Sequence, residues 1–131
     1  IYFKFISLHE SKLVQVTGLV EDVGSALLAS DVLIFPVTKE HQGRPIFEAG
    51  FYKLPVIVPK FECFNEYVND RSGYFFQPGD ADDLTEKILK MLSSQSNYKS
   101  MGRENQLLSI KSHTEGVYES NIKDLLSKIL L

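Results

Sequence analysis

A chain of 131 residues that is 44% hydrophobic has the length of one domain and enough apolar mass for a packed core, which excludes a tail or a disordered segment. A net charge of −3 excludes a nucleic-acid binder that works through a broad basic face, so any contact with phosphate has to be local. The single cysteine, Cys63, excludes an internal disulfide and a cysteine-based zinc cluster and suits a reducing, cytoplasmic compartment; no run approaches the roughly 18 apolar residues of a membrane span, and there is no signal-peptide pattern.

In chain order, YFKFI at 2–6 and VQVTG at 14–18 are short β-like runs of β-branched and aromatic residues. DVGSALLA, 22–29, predicts a short helix capped by Asp22 that buries Val23, Ala26 and Leu27. DVLIFPV, 31–37, is apolar at consecutive positions, the pattern of a strand covered on both faces, and is expected at the centre of its sheet. A helix from about Pro45 to Tyr52 follows, then a turn at Lys53-Leu54-Pro55, a strand VIV at 56–58, a helix from about Glu62 to Val68 and a strand GYFF at 73–76. Such alternation implies βαβ crossovers, hence an α/β fold with a parallel sheet and helices on both faces. Pro78-Gly79-Asp80 makes a turn and a cap for a helix carrying Leu84, Ile88, Leu89 and Leu92 at helical spacing, with acidic residues in its first turn where the dipole favours them. Beyond Ser93 two more helices are expected, about 98–110 and 114–130; the second has Ile122, Leu125, Leu126, Ile129 and Leu130 on one stripe, which is expected to pack on this domain or else on a missing partner domain.

The candidate site lies in KEHQGRPIFEAG, 39–50, where Glu40 and Glu48 are separated by seven residues. A loop that leaves a parallel strand and enters a helix is a ready anion site, because the helix start offers unpaired backbone N–H groups and the positive end of a dipole. Gly43 permits close approach and Pro45 suits the first helical turn. Taken alone, Glu40 reads as a solvated loop residue and Glu48 as a surface residue stabilising a helix start; His41 reads as an exposed loop histidine. His9 and His113 have no neighbouring ligand pattern, which disfavours a metal site. Cys63, between Phe61 and Phe64, reads as a small buried hydrophobe, and Phe51, Tyr52, Tyr67 and Tyr74 as packing residues.

From Val16 to about Leu92 the chain resembles the C-terminal domain of family 4 retaining glycosyltransferases, which have the two-domain GT-B fold. The matching pieces are VTGLVEDVGSALLASDVLIFPV, EHQGRPIFEAGFYKLPVIV and NEYVNDRSGYFFQPGDADDLTEKI, in the family's order and spacing. The resemblance implies a Rossmann-like core over about 1–92, truncated at its N-terminus, with a helical C-terminal extension over about 93–131. It also implies a metal-independent site, without cofactor, for a nucleotide-diphosphate sugar as substrate. Glu48 matches the glutamate that accepts hydrogen bonds from ribose hydroxyls, and Glu40 the one that orients the donor sugar and serves the reaction. Gly43, Arg44 and Pro45 match the turn facing sugar and phosphate, Thr38 a small hydroxyl residue after the strand, and Glu66 a glutamate after the next strand.

Three departures bear on these expectations. Glu62 and Cys63 stand where the family has a small glycine pair, the connection from Ser7 to Leu13 is shorter than a crossover helix, and the βα unit with the basic residues that grip the diphosphate is missing. The chain is therefore expected to be a fragment, inactive alone: the donor-binding half of a hexosyltransferase of glycan biosynthesis. Its partner would be the missing N-terminal acceptor domain, with no nucleic acid and with peripheral membrane contact of the full protein left open. Two other readings stand beside it: a non-catalytic Rossmann-like module for protein association, and a flavodoxin-like receiver domain, against which the lack of an early acidic cluster counts.

Overall fold

The computed structural model describes residues 14–129. The expected strand YFKFI, the connection from Ser7 and Leu130 of the last apolar stripe lie outside the described residues. Three parallel strands, β1 (Leu33–Ile34), β2 (Val56–Pro59) and β3 (Gly73–Phe76), form a sheet in the order β1-β2-β3. The registers are Leu33 against Val56 and Val56 against Gly73. Among the described residues β2 is central, not β1. All four β2 residues are buried, whereas Ile34 is exposed, and the pairing of β1 with β2 stops after Phe35, whose N–H donates to Ile57 O at 2.9 Å; Pro36, which has no N–H to give, follows. The two-residue side-chain period then divides β2 between two cores: Val56 and Val58 join Ile46, Phe47, Ala49 and Phe64, while Ile57 joins Phe76, Met91 and Met101. Each of these fully buried aliphatic side chains contributes about 1.5–3 kcal/mol of transfer free energy.

Helices cover both faces. α1 (Val23–Leu28) starts at Asp22, whose side chain accepts from the backbone N–H of Ser25 at 3.1 Å and from the Ser25 hydroxyl. That hydroxyl contact is the main cause holding the Asp22 carboxyl below its ordinary range. Of the three residues expected to be buried on α1, only Leu27 is. Among the described residues the VQVTG run is not a strand of the sheet, and Val16 is 58% exposed.

α2 (Arg44–Phe51) buries Ile46, Phe47, Ala49 and Gly50 and ends where Lys53 takes the left-handed conformation at φ 59, returning the chain through Leu54 and Pro55 to β2. After β2 the expected helix to Val68 is only a 3₁₀ turn, Glu62–Phe64, followed by further turns. The Asn69 side chain then turns the chain toward β3, its Oδ1 accepting from the backbone N–H groups of Arg71 and Ser72 at 2.9 and 3.1 Å.

α3 (Ala81–Ser93) is capped by Asp80, which accepts from the N–H groups of Asp82 and Asp83, and its first turn is fixed further by Asp83 accepting from Gln77 N–H at 2.6 Å and from Lys87 Nζ at 2.9 Å. The face it buries centres on Met91, with Leu84 and Ile88 beside it, while Leu89 and Leu92 are exposed.

α4 (Tyr98–His113) buries a small and polar face, Met101, Gly102, Asn105 and Ser109. It crosses α2 closely enough that Asn105 Nδ2 donates to Leu54 O at 2.8 Å. A Cβ on Gly102 would stand 1.8 Å from the Lys53 carbonyl oxygen. α5 (Glu115–Ile129) follows a break at Thr114, whose backbone is extended. Of its apolar stripe, Ile122, Leu125 and Leu126 are exposed and do not pack on the described part of this domain. No helix among the described residues is long and apolar enough to cross a membrane.

The obstruction at Gly102 is backbone, which cannot rotate aside, so Gly102→Ala is expected to destabilise the full-length protein by about 1–3 kcal/mol, an overpacking cost. Urea unfolding should show a lowered midpoint at unchanged slope.

Candidate functional site

Open α/β sheets hold ligands off the carboxyl ends of their strands, where loops leave the sheet and helices begin. Here that end carries a cleft of about 950 Å³ bounded by the 40–42 loop, the outer face of α2, the segment after the 3₁₀ turn and the last residue of α4. Gly43 sets the geometry. It precedes α2 with φ 65 and ψ 20, and a Cβ there would meet Phe64, Ile46 and Tyr67 at 3.0, 3.1 and 3.2 Å. The left-handed conformation and the lack of space both require glycine. Its carbonyl accepts from Ile46 N–H at 2.8 Å to start the helix, and its own N–H points to His41 Nδ1 at 3.4 Å.

The loop is tied across the cleft floor. Tyr67 OH donates to Gln42 O at 3.4 Å, and the Cys63 thiol lies 3.8 Å from His41 O. Cys63 is exposed, contrary to the expectation of a buried hydrophobe, because Phe64 takes the core position and directs its neighbour outward. Phe51 and Tyr52 are exposed as well, whereas Tyr67 is buried. Burial pushes the Tyr67 hydroxyl above its ordinary range, with Cys63 and Glu66 adding to the effect.

Of the sequence candidates, the cleft gathers Glu40, Arg44, Glu48 and Glu66 along its walls. Gly43 and Pro45 form the turn that positions them, and Thr38 sits on the exposed bend before the loop without lining the cleft. Arg44 does not reach across the helix start. Its Nε lies 3.3 Å from Glu48 Oε1, one helical turn on, and the guanidinium is largely in solvent. Glu48 is thus half-buried and already holds a partner. Among the described residues no group of three or more His, Cys, Asp or Glu side chains is placed to hold a metal ion.

His113 is the residue that sequence reasoning missed. It ends α4, and its ring stacks on Phe47 with centroids 3.3 Å apart and planes at 23°, while meeting Tyr67 edge to face at 5.7 Å. Nothing local to residue 113 signals this, since the stack depends on α4 crossing α2. Desolvation by the two rings pulls the imidazole below its ordinary value, with Glu66 opposing.

Because that pKa is depressed in the folded state, the stabilisation is complete above the ordinary value of 6.5 and is lost as pH falls through the folded value. The full-length protein is expected to lose thermal stability as the pH falls below 6.5, and His113→Phe to flatten that slope; Asp22 and Asp83, whose pKa values are also depressed, act only near and below 3.8. Thermal unfolding of both proteins across this window checks it.

Comparison with known proteins gives this geometry a family. The family model described as glycosyl transferases group 1 matches residues 5–107. No curated protein matches the chain. Sucrose-phosphate synthase from Thermosynechococcus elongatus is similar at a TM-score of 0.80 and 19% identity, over 94% of this chain and 32% of its own. HepE from Anabaena, solved in complex with UDP, gives 0.86 and 21% over 97% and 35%. The C-terminal domain of the group 1 glycosyl transferase LpcC from Francisella tularensis gives 0.67 and 22% over 76% and 53%. The chain thus spans about a third to a half of the solved chains it matches. At these identities the likeness establishes the fold, a Rossmann-like arrangement as in GT-B proteins. With most of its length matched by the family model, the chain belongs to the group 1 glycosyltransferases.

Proposed function

We propose that this chain is the nucleotide-sugar-binding half of a retaining hexosyltransferase of family 4 that makes a glycan or glycoconjugate. The observation that carries the reading is the cleft at the strand ends, in which Glu40 and Glu48 line the walls on either side of the Gly43 turn. Glu48 sits on a rigid helix with a carboxylate that can accept from two adjacent ribose hydroxyls, on exchanging its contact with Arg44 for the ligand. Glu40, on the loop, is assigned to the donor sugar and to the reaction. The diphosphate belongs at the start of α2, where backbone N–H groups and the helix dipole favour negative charge. Arg44, released from Glu48, supplies a cation there. HepE, of similar fold, was solved with UDP and also with UDP and glucose, which supports a sugar nucleotide as the ligand class.

The reaction we assign needs no metal and rests on positioning and on stabilising the charge of the departing nucleoside diphosphate. The exposed stripe Ile122, Leu125 and Leu126 on α5 is assigned to contact with the N-terminal acceptor domain. The same stripe favours the second reading, a non-catalytic association module. The cytoplasm is the compartment we assign, as the lone exposed cysteine suits reducing conditions.

Calorimetric titration of the full-length protein with UDP, GDP and their glucose conjugates tests this. One pair is expected to bind, and Glu48→Gln to weaken it about ten- to a hundredfold, the loss of charge-assisted hydrogen bonds. Glu40→Gln should lower kcat more than ligand affinity, and proton NMR of the first product should show the donor's anomeric configuration retained. Absence of binding to all four ligands by the intact protein would sink the assignment and leave the association module.

A further inference from the structure

One contact in the cleft has no part in the assignments above. Glu40, Glu48 and Glu66 line the cleft with Arg44, which is engaged with Glu48. Ionised carboxylates accept hydrogen bonds and cannot donate them, so the portion of a ligand beside them has to present donors. Hydroxyl groups do this; phosphate oxygens do not. The wall near Glu66 is completed by His113, whose contacts among the described residues are the stack on Phe47 and the edge of Tyr67. Both are contacts with apolar rings, which leaves the imidazole nitrogens for the cleft.

Resting on the sugar-nucleotide reading, we propose that His113 is a further binding residue of this site, its imidazole hydrogen-bonding a hydroxyl of the ribose or of the transferred sugar on the Glu66 side of the cleft. An uncharged imidazole has one donor and one acceptor nitrogen, the same pairing as a hydroxyl, so the two can satisfy each other in either direction. His113 is exposed as a whole residue, yet the ring face against Phe47 and Tyr67 is desolvated, which lowers its pKa despite Glu66 and favours the uncharged form at neutral pH. The stack also holds the ring in one orientation before any ligand arrives, so little side-chain freedom is lost on binding. The helical extension beyond the sheet thereby contributes a group to recognition, through the last residue of α4.

The full-length protein carrying His113→Phe keeps a ring on Phe47 and lacks both nitrogens. Titrated with UDP, GDP and their glucose conjugates, it is expected to bind the cognate ligand about five- to tenfold more weakly than wild type. His113→Gln should recover part of that loss. A loss with nucleoside diphosphate and conjugate alike assigns the contact to ribose, and a loss with the conjugate alone assigns it to the transferred sugar. Wild-type affinity in His113→Phe, with Glu48→Gln still impaired, would overturn this inference and leave the donor-site reading intact. Failure of the wild type to bind any of the four ligands would remove both. As a readout independent of mutant folding, the imidazole NMR titration of wild-type His113 should shift in the presence of saturating ligand; an unchanged titration curve overturns the proposal.

Discussion

The left-handed backbone at Gly43 is the constraint from which the cleft follows. Phe64, Ile46 and Tyr67 crowd the space where a side chain would stand, so the turn cannot relax outward, and the chain on its two sides is forced apart. Before it runs the loop with Glu40 and His41; after it α2 starts at once and brings the buried Phe47 and the half-buried Glu48 to the cleft wall. Two of these residues, Phe64 and Tyr67, hold the segment after β2 against the turn, which brings Glu66 to the opposite wall. A substitution that displaced Gly43 would therefore move all three walls together, because they share one packing point.

A second constraint locks α2 from outside. Asn105 donates to the Leu54 carbonyl, Gly102 lies under Lys53, and farther along the same helix, at its last residue, His113 rests on Phe47. The end of α2 and its middle are thus both held by α4. The crossing leaves Asn105 Oδ1 and Ser109 Oγ buried without a partner among the described residues. Each such group costs about 1–3 kcal/mol, which the apolar contacts on either side have to offset. This cost is tolerated where a close helix approach positions a site residue.

Much of the fold was legible because local signals and tertiary packing agree. Asp80 caps α3, VIV at 56–58 is a buried strand, and GYFF is the next strand, as the apolar runs and turn residues dictate. Where the reading failed, an interaction between distant residues decided the outcome. The segment after β2 keeps to a 3₁₀ turn and further turns, with Phe64 and Tyr67 packed against Gly43, and among the described residues β2 is the central strand, buried along its whole length. α4 shows no broad apolar stripe, since its buried face has Met101 as its one apolar side chain beside glycine, asparagine and serine; the sequence therefore does not announce the crossing that delivers His113. The Glu40, Glu48 and Glu66 set was legible from spacing and resemblance alone. Arg44 was legible as a nearby cation, but its pairing with Glu48 depends on the helix phase, which puts residues four apart on one face.

The charge balance of the cleft limits how the proposed chemistry can be divided. Three carboxylates face one guanidinium, and that guanidinium is mostly solvated and held only by an i,i+4 contact worth tenths of a kcal/mol. Exchanging Arg44 from Glu48 to a phosphate therefore costs little, and the exchange frees Glu48 for hydroxyls at the same moment. A diphosphate nevertheless carries more negative charge than one arginine can match beside Glu40 and Glu66. Backbone N–H groups at the start of α2 supply part of the balance, and Pro45 removes one of them from that set. The remainder has to come from cations outside the cleft walls described here. On the proposed reading this makes donor recognition and leaving-group stabilisation separable: hydroxyl-reading carboxylates and an imidazole belong to this half, and the positive charge that drives departure is completed only when another part of the protein closes over it.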